Sequence, residues 1–193
     1  MTTHLEIEFK TLLTNTEYEL IRSYFSLQNT SPIKQTNIYF DTEDWFLKNK
    51  HIVLRVRIKE EMFELTLKIK SPKGNIEINE PITKEVYYDI VNKHILPDGV
   101  IKLTLKELKI DFASVKAELT TYRYELEYKN CLIALDKSYY YDQFDYELEL
   151  EAPDYDYGLT IFNELLEKFN LTLRKAKPKA VRAIEYNQQK NPR

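Results

Sequence analysis

Charged side chains alternate with apolar ones in four stretches of the sequence, at residues 4–10, 54–59, 64–70 and 146–152. Because successive residues of a β-strand point to opposite faces, each stretch would place its charges on one face and its apolar residues on the other. The charged residues that share a face are Glu6, Glu8 and Lys10; Arg55, Arg57 and Lys59; Glu64, Lys68 and Lys70; and Glu147, Glu149 and Glu151.

Such faces could carry chemistry if they turned inward together. Carboxylates that converge without a cation raise one another's pKa and become neutral. Mg²⁺ and Mn²⁺, which prefer oxygen ligands, relieve this repulsion. Arginines and lysines that converge beside them need an anion, and phosphate suits their hydrogen-bond donors. Charged faces of both signs would therefore suit a polyphosphate that is bound together with a divalent metal ion.

A simpler interpretation is that the aliphatic faces form the core and the charged faces are solvated. Like charges that face each other directly on paired strands repel by a few tenths to ~1 kcal/mol, which counts against several single-sign faces in one protein. If the charged faces turn inward instead, the aliphatic faces must be covered by amphipathic helices. The sequence supplies helical patterns at residues 14–28, 155–169 and 178–189. Both interpretations are compatible with the alternation alone.

The remaining patterns predict mainly strands joined by short turns. The predicted strands are 4–10, 34–42, 51–59, 62–70, 75–82, 114–128, 131–141 and 144–152. Two short helices are predicted at 83–93 and 101–109, in addition to the three longer helical patterns. Eight strands with helices at the edges predict an α+β fold with an antiparallel barrel or strongly curved sheet. No linker interrupts the pattern, so we expect one domain over residues 1–193.

The composition excludes several classes of protein. The chain has 193 residues, of which 43% are hydrophobic and 31% charged, and this is typical of a globular domain. Its net charge of −3 argues against indiscriminate binding of nucleic acid. No apolar run is long enough for a membrane helix, and we expect a cytoplasmic protein without a membrane partner. With only 3 glycines, the sequence holds neither a P-loop nor a GxGxxG loop.

The order of the motifs resembles the CYTH domain family, the triphosphate tunnel metalloenzymes. "EIEFK" (6–10) is similar to the ExExK signature of this family. The further motifs that resemble the family are, in order, "YFDT" (39–42), "LRVR" (54–57), "TLK" (66–68), "YRYE" (122–125), "LD" (135–136) and "ELE" (149–151). The resemblance extends from residue 4 to about residue 185 and implies an eight-stranded antiparallel tunnel with a polar interior.

The resemblance also implies a role for individual residues. The implied metal ligands are Glu6, Glu8, Glu77, Asp136, Glu149 and Glu151, with Glu147 and Glu149 as the alternative C-terminal pair. The implied triphosphate-binding residues are Lys10, Arg55, Arg57, Lys68, Arg123 and Lys179, and the implied catalytic residues are Lys10, Arg57 and Asp136. The implied cofactor is Mg²⁺ or Mn²⁺.

These roles predict a metal-dependent hydrolase that cleaves a triphosphate and releases orthophosphate. Inorganic triphosphate, a nucleoside triphosphate and thiamine triphosphate are all compatible small-molecule substrates. Two alternatives remain open: an adenylyl cyclase that makes cyclic AMP from ATP, and a non-catalytic tunnel that binds a polyphosphate or nucleotide. The sequence does not distinguish a monomer from a homodimer.

Overall fold

The structure is a computed structural model that describes residues 1–111 and 113–190. Phe112 and residues 191–193, which belong to the predicted domain, lie outside the described residues. The strands are Thr2–Leu13 (β1), Ile33–Asp41 (β2), Ile52–Lys59 (β3), Met62–Ser71 (β4), Gly74–Ile82 (β5), Ser114–Tyr128 (β6), Cys131–Tyr140 (β7) and Gln143–Ala152 (β8). The helices are Asn15–Tyr24 (α1), Phe46–Asn49 (α2), Lys84–Lys93 (α3), Val100–Glu107 (α4), Tyr155–Lys168 (α5) and Lys179–Lys190 (α6).

The eight strands form a closed barrel in the order β1-β5-β4-β3-β2-β6-β7-β8. Short turns join four of the antiparallel pairs, β3 with β4, β4 with β5, β6 with β7 and β7 with β8. For example, Lys129 and Asn130 both have left-handed φ angles, of 48° and 54°, which match the two-residue turn that joins twisted strands. This turn sets the register of β6 and β7 by pairing Tyr128 with Cys131. The α+β barrel with flanking helices that the sequence predicts is confirmed.

The contacts divide the chain into two compact units. The first unit comprises Met1–Leu5, Gln35–Leu119 and the segment from Pro178, and the second comprises Glu6–Lys34 and Thr120–Lys177. The single domain over 1–193 stays a prediction. In residues 1–111 and 113–190, every helix is too short or too polar to cross a membrane.

In the first unit, the aliphatic faces of β2 to β5 pack against α2, α3 and α4. Leu54 and Val56 of β3 and Leu65 and Leu67 of β4 are buried there together with Ile101 of α4. The period of two then places the polar residues of the same strands on the face turned away from these helices. The helices therefore cover the aliphatic face, as the inward-facing interpretation of the charges requires.

The second unit follows the same rule. Leu148 and Leu150 of β8 pack with Ile133 of β7, Ile21 of α1 and Leu165 of α5 in one apolar cluster. The glutamates that alternate with these leucines in β8 lie on the opposite face of the sheet. The polar barrel interior that the sequence predicts follows from these two helix-covered faces.

Two helical segments differ from the predictions. The helix predicted over 14–28 ends at Tyr24, because Ser26 takes a left-handed φ of 56° before a short 3₁₀ turn at Leu27–Asn29. The sequence also failed to predict α2, which has only four residues and no measurable period. Its first backbone N–H groups donate to the buried Asp41 carboxylate, from Leu47 at 2.9 Å and from Lys48 at 3.0 Å. Asp41 of the "YFDT" motif therefore holds α2 in place.

Glu80 plays a comparable structural role for α4. It lies on the same face of β5 as the buried Ile78, and its Oε1 accepts the backbone N–H of Ile101 at 3.1 Å. A Cβ at Gly99 would come within 2.5 Å of the Glu80 carboxylate, so a larger residue there would require this carboxylate to shift. Glu77, three residues earlier in β5, lies on the opposite, polar face.

Candidate active site

Three carboxylates of the second unit form a compact group, which we call the acidic cluster: Glu8, Glu147 and Glu149. One oxygen from each lies within 4.8 Å of the others. The pairing of β1 with β8 produces this arrangement by placing Lys10 opposite Glu149 and Glu8 opposite Glu151. The Glu147 side chain is fully buried, so its charge has little access to water. Such a group requires a nearby cation.

Lys10 supplies a positive charge to the acidic cluster. Its Nζ lies 2.5 Å from Glu8 Oε1, 3.9 Å from Glu147 Oε1 and 4.0 Å from Glu149 Oε1. Alternation in β1 puts Glu8 and Lys10 on one face, and the pairing with β8 brings the other two carboxylates to them. The ExExK spacing thus joins a carboxylate and an ammonium group in one place.

Arg123 and Asp136 extend the acidic cluster on its β6–β7 side. Arg123 donates from Nε and Nη2 to the two Asp136 oxygens, at 2.8 and 2.6 Å, and from Nη2 to Glu149 at 2.5 Å. Register explains the contact, because Arg123 pairs with Asp136 across the two strands. Burial lowers the pKa of Arg123, but the Asp136 and Glu149 carboxylates outweigh burial and hold this pKa well above its usual value. Arg123 therefore stays charged.

The acidic cluster fits a hard divalent cation. It offers carboxylate oxygens from two strands within a few ångströms, and oxygen ligands are those that Mg²⁺ and Mn²⁺ prefer. Within the described residues, this is the group of carboxylates close enough to hold a metal ion together. The geometry brings Glu147 and Glu149, rather than the exposed Glu151, to Glu8.

A second group of charges lies in the first unit, and we call it the basic cluster: Arg55, Lys68 and the carboxylate between them, Glu77. Arg55 Nη2 lies 3.3 Å from Glu77 Oε1, and Lys68 Nζ lies 2.9 Å from Glu77 Oε2. The pairing of β4 with β5 places Lys68 opposite Glu77. Arg55 and Glu77 are both buried. Two residues predicted to bind triphosphate, Arg55 and Lys68, thus contact Glu77, which was predicted to bind metal.

Polar residues that the sequence analysis did not select line the same faces. Arg57 donates from Nε to Asn37 Oδ1 at 3.3 Å, and Asn37 is itself buried. Thr66 donates to Asn79 Oδ1 at 2.8 Å between β4 and β5. In "KQTNIYFD", Gln35 and Asn37 are two residues apart and therefore share one face of a strand, but uncharged side chains do not by themselves indicate a site for charged ligands.

Three further predicted site residues do not belong to the acidic or basic cluster as defined above. Glu6 is half-buried in β1, and Glu151 is exposed near the end of β8. Lys179 is the first residue of α6 and is half-buried. The metal, phosphate and catalytic roles of all predicted residues stay predictions.

Comparison with known proteins identifies the family. The CYTH domain model matches residues 4–184, nearly the whole chain. This chain belongs to the CYTH domain family. A Bacillus subtilis (strain 168) protein named "Putative triphosphatase YjbK" is 36% identical over 187 residues, which are 96% of this chain and 97% of that protein.

Solved structures resemble the CYTH domain described above over most of its length. A Bacillus halodurans protein described as "a putative adenylate cyclase" has a TM-score of 0.90 and 30% identity, covering 94% of this chain and 98% of its own. HpAC1 from Hippeastrum, described as a putative adenylyl cyclase with a dominant triphosphatase activity, has a TM-score of 0.73 and 16% identity, covering 94% and 96%. At that identity, HpAC1 supports the fold of the CYTH domain.

Proposed function

We propose that this CYTH domain hydrolyses a small-molecule triphosphate, with Mg²⁺ or Mn²⁺ as cofactor, and releases orthophosphate. The observation that carries the proposal is the acidic cluster, whose three carboxylate oxygens lie within 4.8 Å of one another. The 36% identity to the Bacillus subtilis protein named as a triphosphatase supports the choice of reaction. The arginines and lysines of the first unit support an anionic substrate.

The basic residues bind and orient the substrate in this proposal. Arg55, Arg57 and Lys68 donate hydrogen bonds to phosphate oxygens and stabilise the negative charge that develops on the transferred phosphoryl group. Arg123 and Lys179 are assigned to phosphate binding as well. Arg123 also positions Glu149, to which it donates a hydrogen bond. Lys10 acts at the acidic cluster, where its ammonium group balances the carboxylate charges.

Glu8, Glu147 and Glu149 hold the metal ion, with Glu6, Glu77, Asp136 and Glu151 as the further assigned ligands. A bound Mg²⁺ or Mn²⁺ supplies Lewis-acid stabilisation of phosphate oxygens and lowers the pKa of a water molecule. The buried carboxylates fix its position because their side chains are already packed together, and Asp136 is assigned to orienting this metal or water.

The proposal is tested by substituting one carboxylate of the acidic cluster. Glu8→Gln should lower the Mn²⁺-dependent release of orthophosphate from inorganic triphosphate at least about 100-fold, because loss of even outer-shell partners costs about 10–100-fold. It should leave the thermal midpoint unchanged or higher, since one repelling charge is removed. Glu167→Gln on the exposed side of α5 is the matched control and should behave as wild type. A fully active but unstable Glu8→Gln protein would make Glu8 structural and refute the proposed site.

The adenylyl cyclase reaction is the second candidate, and the description of the 30% identical Bacillus halodurans protein favours it. The two reactions differ in the nucleophile, which is water in the hydrolase and the 3′-hydroxyl of ATP in the cyclase. Incubation with ATP and Mn²⁺ distinguishes them, since the hydrolase releases orthophosphate and the cyclase releases pyrophosphate and cyclic AMP.

A further inference from the structure

Glu77 lies among cations in the basic cluster. Its carboxylate contacts Arg55 Nη2 at 3.3 Å and Lys68 Nζ at 2.9 Å, and all three side chains are largely withdrawn from solvent. The Glu77 carboxylate contacts a guanidinium and an ammonium group, so its negative charge partly neutralises the cations that are assigned to phosphate.

Arg55 has an N–H donor that is available to an anion. Arg55 is only 7% exposed. Among the described residues, its Nε has no hydrogen-bond partner. A buried N–H without an acceptor is costly, and Glu77 accepts a hydrogen bond from Arg55 Nη2 but not from Nε. A phosphate group, which presents three or more oxygens, would supply the missing acceptor.

We infer that Glu77 is the resident anion of the basic cluster, and that phosphate oxygens displace its carboxylate from Arg55 and Lys68 when substrate binds. This inference rests on the proposed function and gives Glu77 a role in the metal-free protein, in addition to the metal ligation assigned above. A triphosphate carries about four negative charges, and orthophosphate carries at most two, so the longer anion displaces the carboxylate more readily. Glu77 therefore favours polyphosphates by weakening the binding of small anions.

The test measures anion binding without divalent metal, where a metal ligand has no part. Calorimetric titrations in the presence of EDTA compare inorganic triphosphate and orthophosphate on wild type, Glu77→Gln and the control Glu85→Gln. Glu77→Gln should bind orthophosphate at least about tenfold more tightly than wild type, because the competing charge is gone. Triphosphate, which displaces the carboxylate more readily in wild type, should gain by a smaller factor. Glu85 lies in the first turn of α3 and is exposed, so Glu85→Gln changes the net charge equally but should bind as wild type.

A stability measurement keeps the test decisive if Glu77→Gln folds poorly. The variant removes a carboxylate from the buried Arg55 and the half-buried Lys68, so its thermal midpoint without ligand should fall below that of wild type. Triphosphate should then raise the midpoint of Glu77→Gln more than that of wild type, since binding to the folded state is tighter. The milder Glu77→Asp, which keeps the charge on a shorter side chain, should give an intermediate shift.

Each outcome separates this inference from the proposed function. Unchanged or weaker metal-free binding by Glu77→Gln, or no binding of either anion by any variant, would overturn the inference. If wild type nevertheless hydrolyses triphosphate with Mn²⁺, the proposed function still holds although the inference about Glu77 is wrong. Tighter binding by Glu77→Gln, together with a wild type that lacks hydrolysis, would support the resident anion and refute the hydrolase.

Discussion

At the scale of single residues, the side chain of Arg123 serves two neighbours at once. Both oxygens of the fully buried Asp136 accept hydrogen bonds from it, and Glu149 accepts a third. Its exposed neighbour Glu125 is farther away, with 3.7 Å between Arg123 Nη1 and Glu125 Oε1. The same guanidinium group therefore has two buried partners, Asp136 and Glu149, and the exposed partner Glu125, which permits a direct comparison of buried and exposed ion pairs.

Asp136→Asn should destabilise the protein by about 3 kcal/mol, because removing one partner of a buried ion pair leaves the other charge poorly compensated. Glu125→Gln should cost less than ~1 kcal/mol, as exposed ion pairs do. Urea unfolding of both variants at neutral pH measures the difference in the free energy of unfolding. Equal losses in the two variants would show that burial does not determine the strength of these pairs.

At the scale of secondary-structure elements, Glu17 connects three segments of the second unit. It completes the capping box of α1 with Thr14, whose side chain accepts the backbone N–H of Glu17. Its carboxylate also accepts from both terminal nitrogens of Arg174, at 2.7 and 3.1 Å. Arg174 in turn pairs with the backbone of Leu12 near the end of β1. Burial raises the pKa of Glu17, but Arg174 and Thr14 outweigh burial and lower it.

Glu17 should therefore make folding stability depend on pH. A group whose pKa is lower in the folded state stabilises the protein above its unfolded pKa of 4.5, and this contribution is lost as the pH falls below that value. Glu17→Gln should reduce stability at pH 7 and approach wild type at acidic pH. Denaturant midpoints from pH 7 to pH 3 measure the difference, and Glu19→Gln, exposed on the same helix, is the control. A pH-independent difference would contradict the ionic role of Glu17.

At the scale of the whole molecule, the charge balance opposes the binding of a polyanion. The net charge is −3, so general attraction cannot explain triphosphate binding, and local clusters of arginine and lysine must provide it. Arg57 belongs to such a cluster, since it is held by Asn37 and its charge contributes to lowering the pKa of Glu77.

Arg57→Ala should reduce the preference for triphosphate over orthophosphate about tenfold or more, because one charge-assisted hydrogen bond contributes roughly 1.5–3 kcal/mol. The preference should persist at physiological ionic strength, since partly buried charges are screened less than exposed ones. Calorimetric titrations with Mn²⁺ at two salt concentrations measure it, with the exposed Lys93→Ala as control. Equal, weak binding of both anions that disappears with salt would refute specific phosphate binding by Arg57 and its neighbouring cations.

The sequence by itself determined the alternation of charged and aliphatic faces, because the period of two is a property of the extended backbone. From it followed the eight strands, the antiparallel barrel and the amphipathic helices. The order of motifs also pointed to the CYTH domain family, which the match over residues 4–184 confirms. The candidate residues Glu8 and Lys10 could be selected in the same way, since both lie on one face of a single strand.

Only the tertiary structure decided which charges meet. Strand register places Glu151 directly opposite Glu8, yet the side-chain oxygens that approach Glu8 are those of Glu147 and Glu149, and Glu151 is exposed. A periodic pattern with three equivalent glutamates does not distinguish these side-chain positions. For Glu77 and Glu80, the period of two predicts opposite faces of β5 but not what each face contacts. One faces Arg55 and Lys68 and the other caps α4, because neighbours distant in the sequence fix the environment of each side chain.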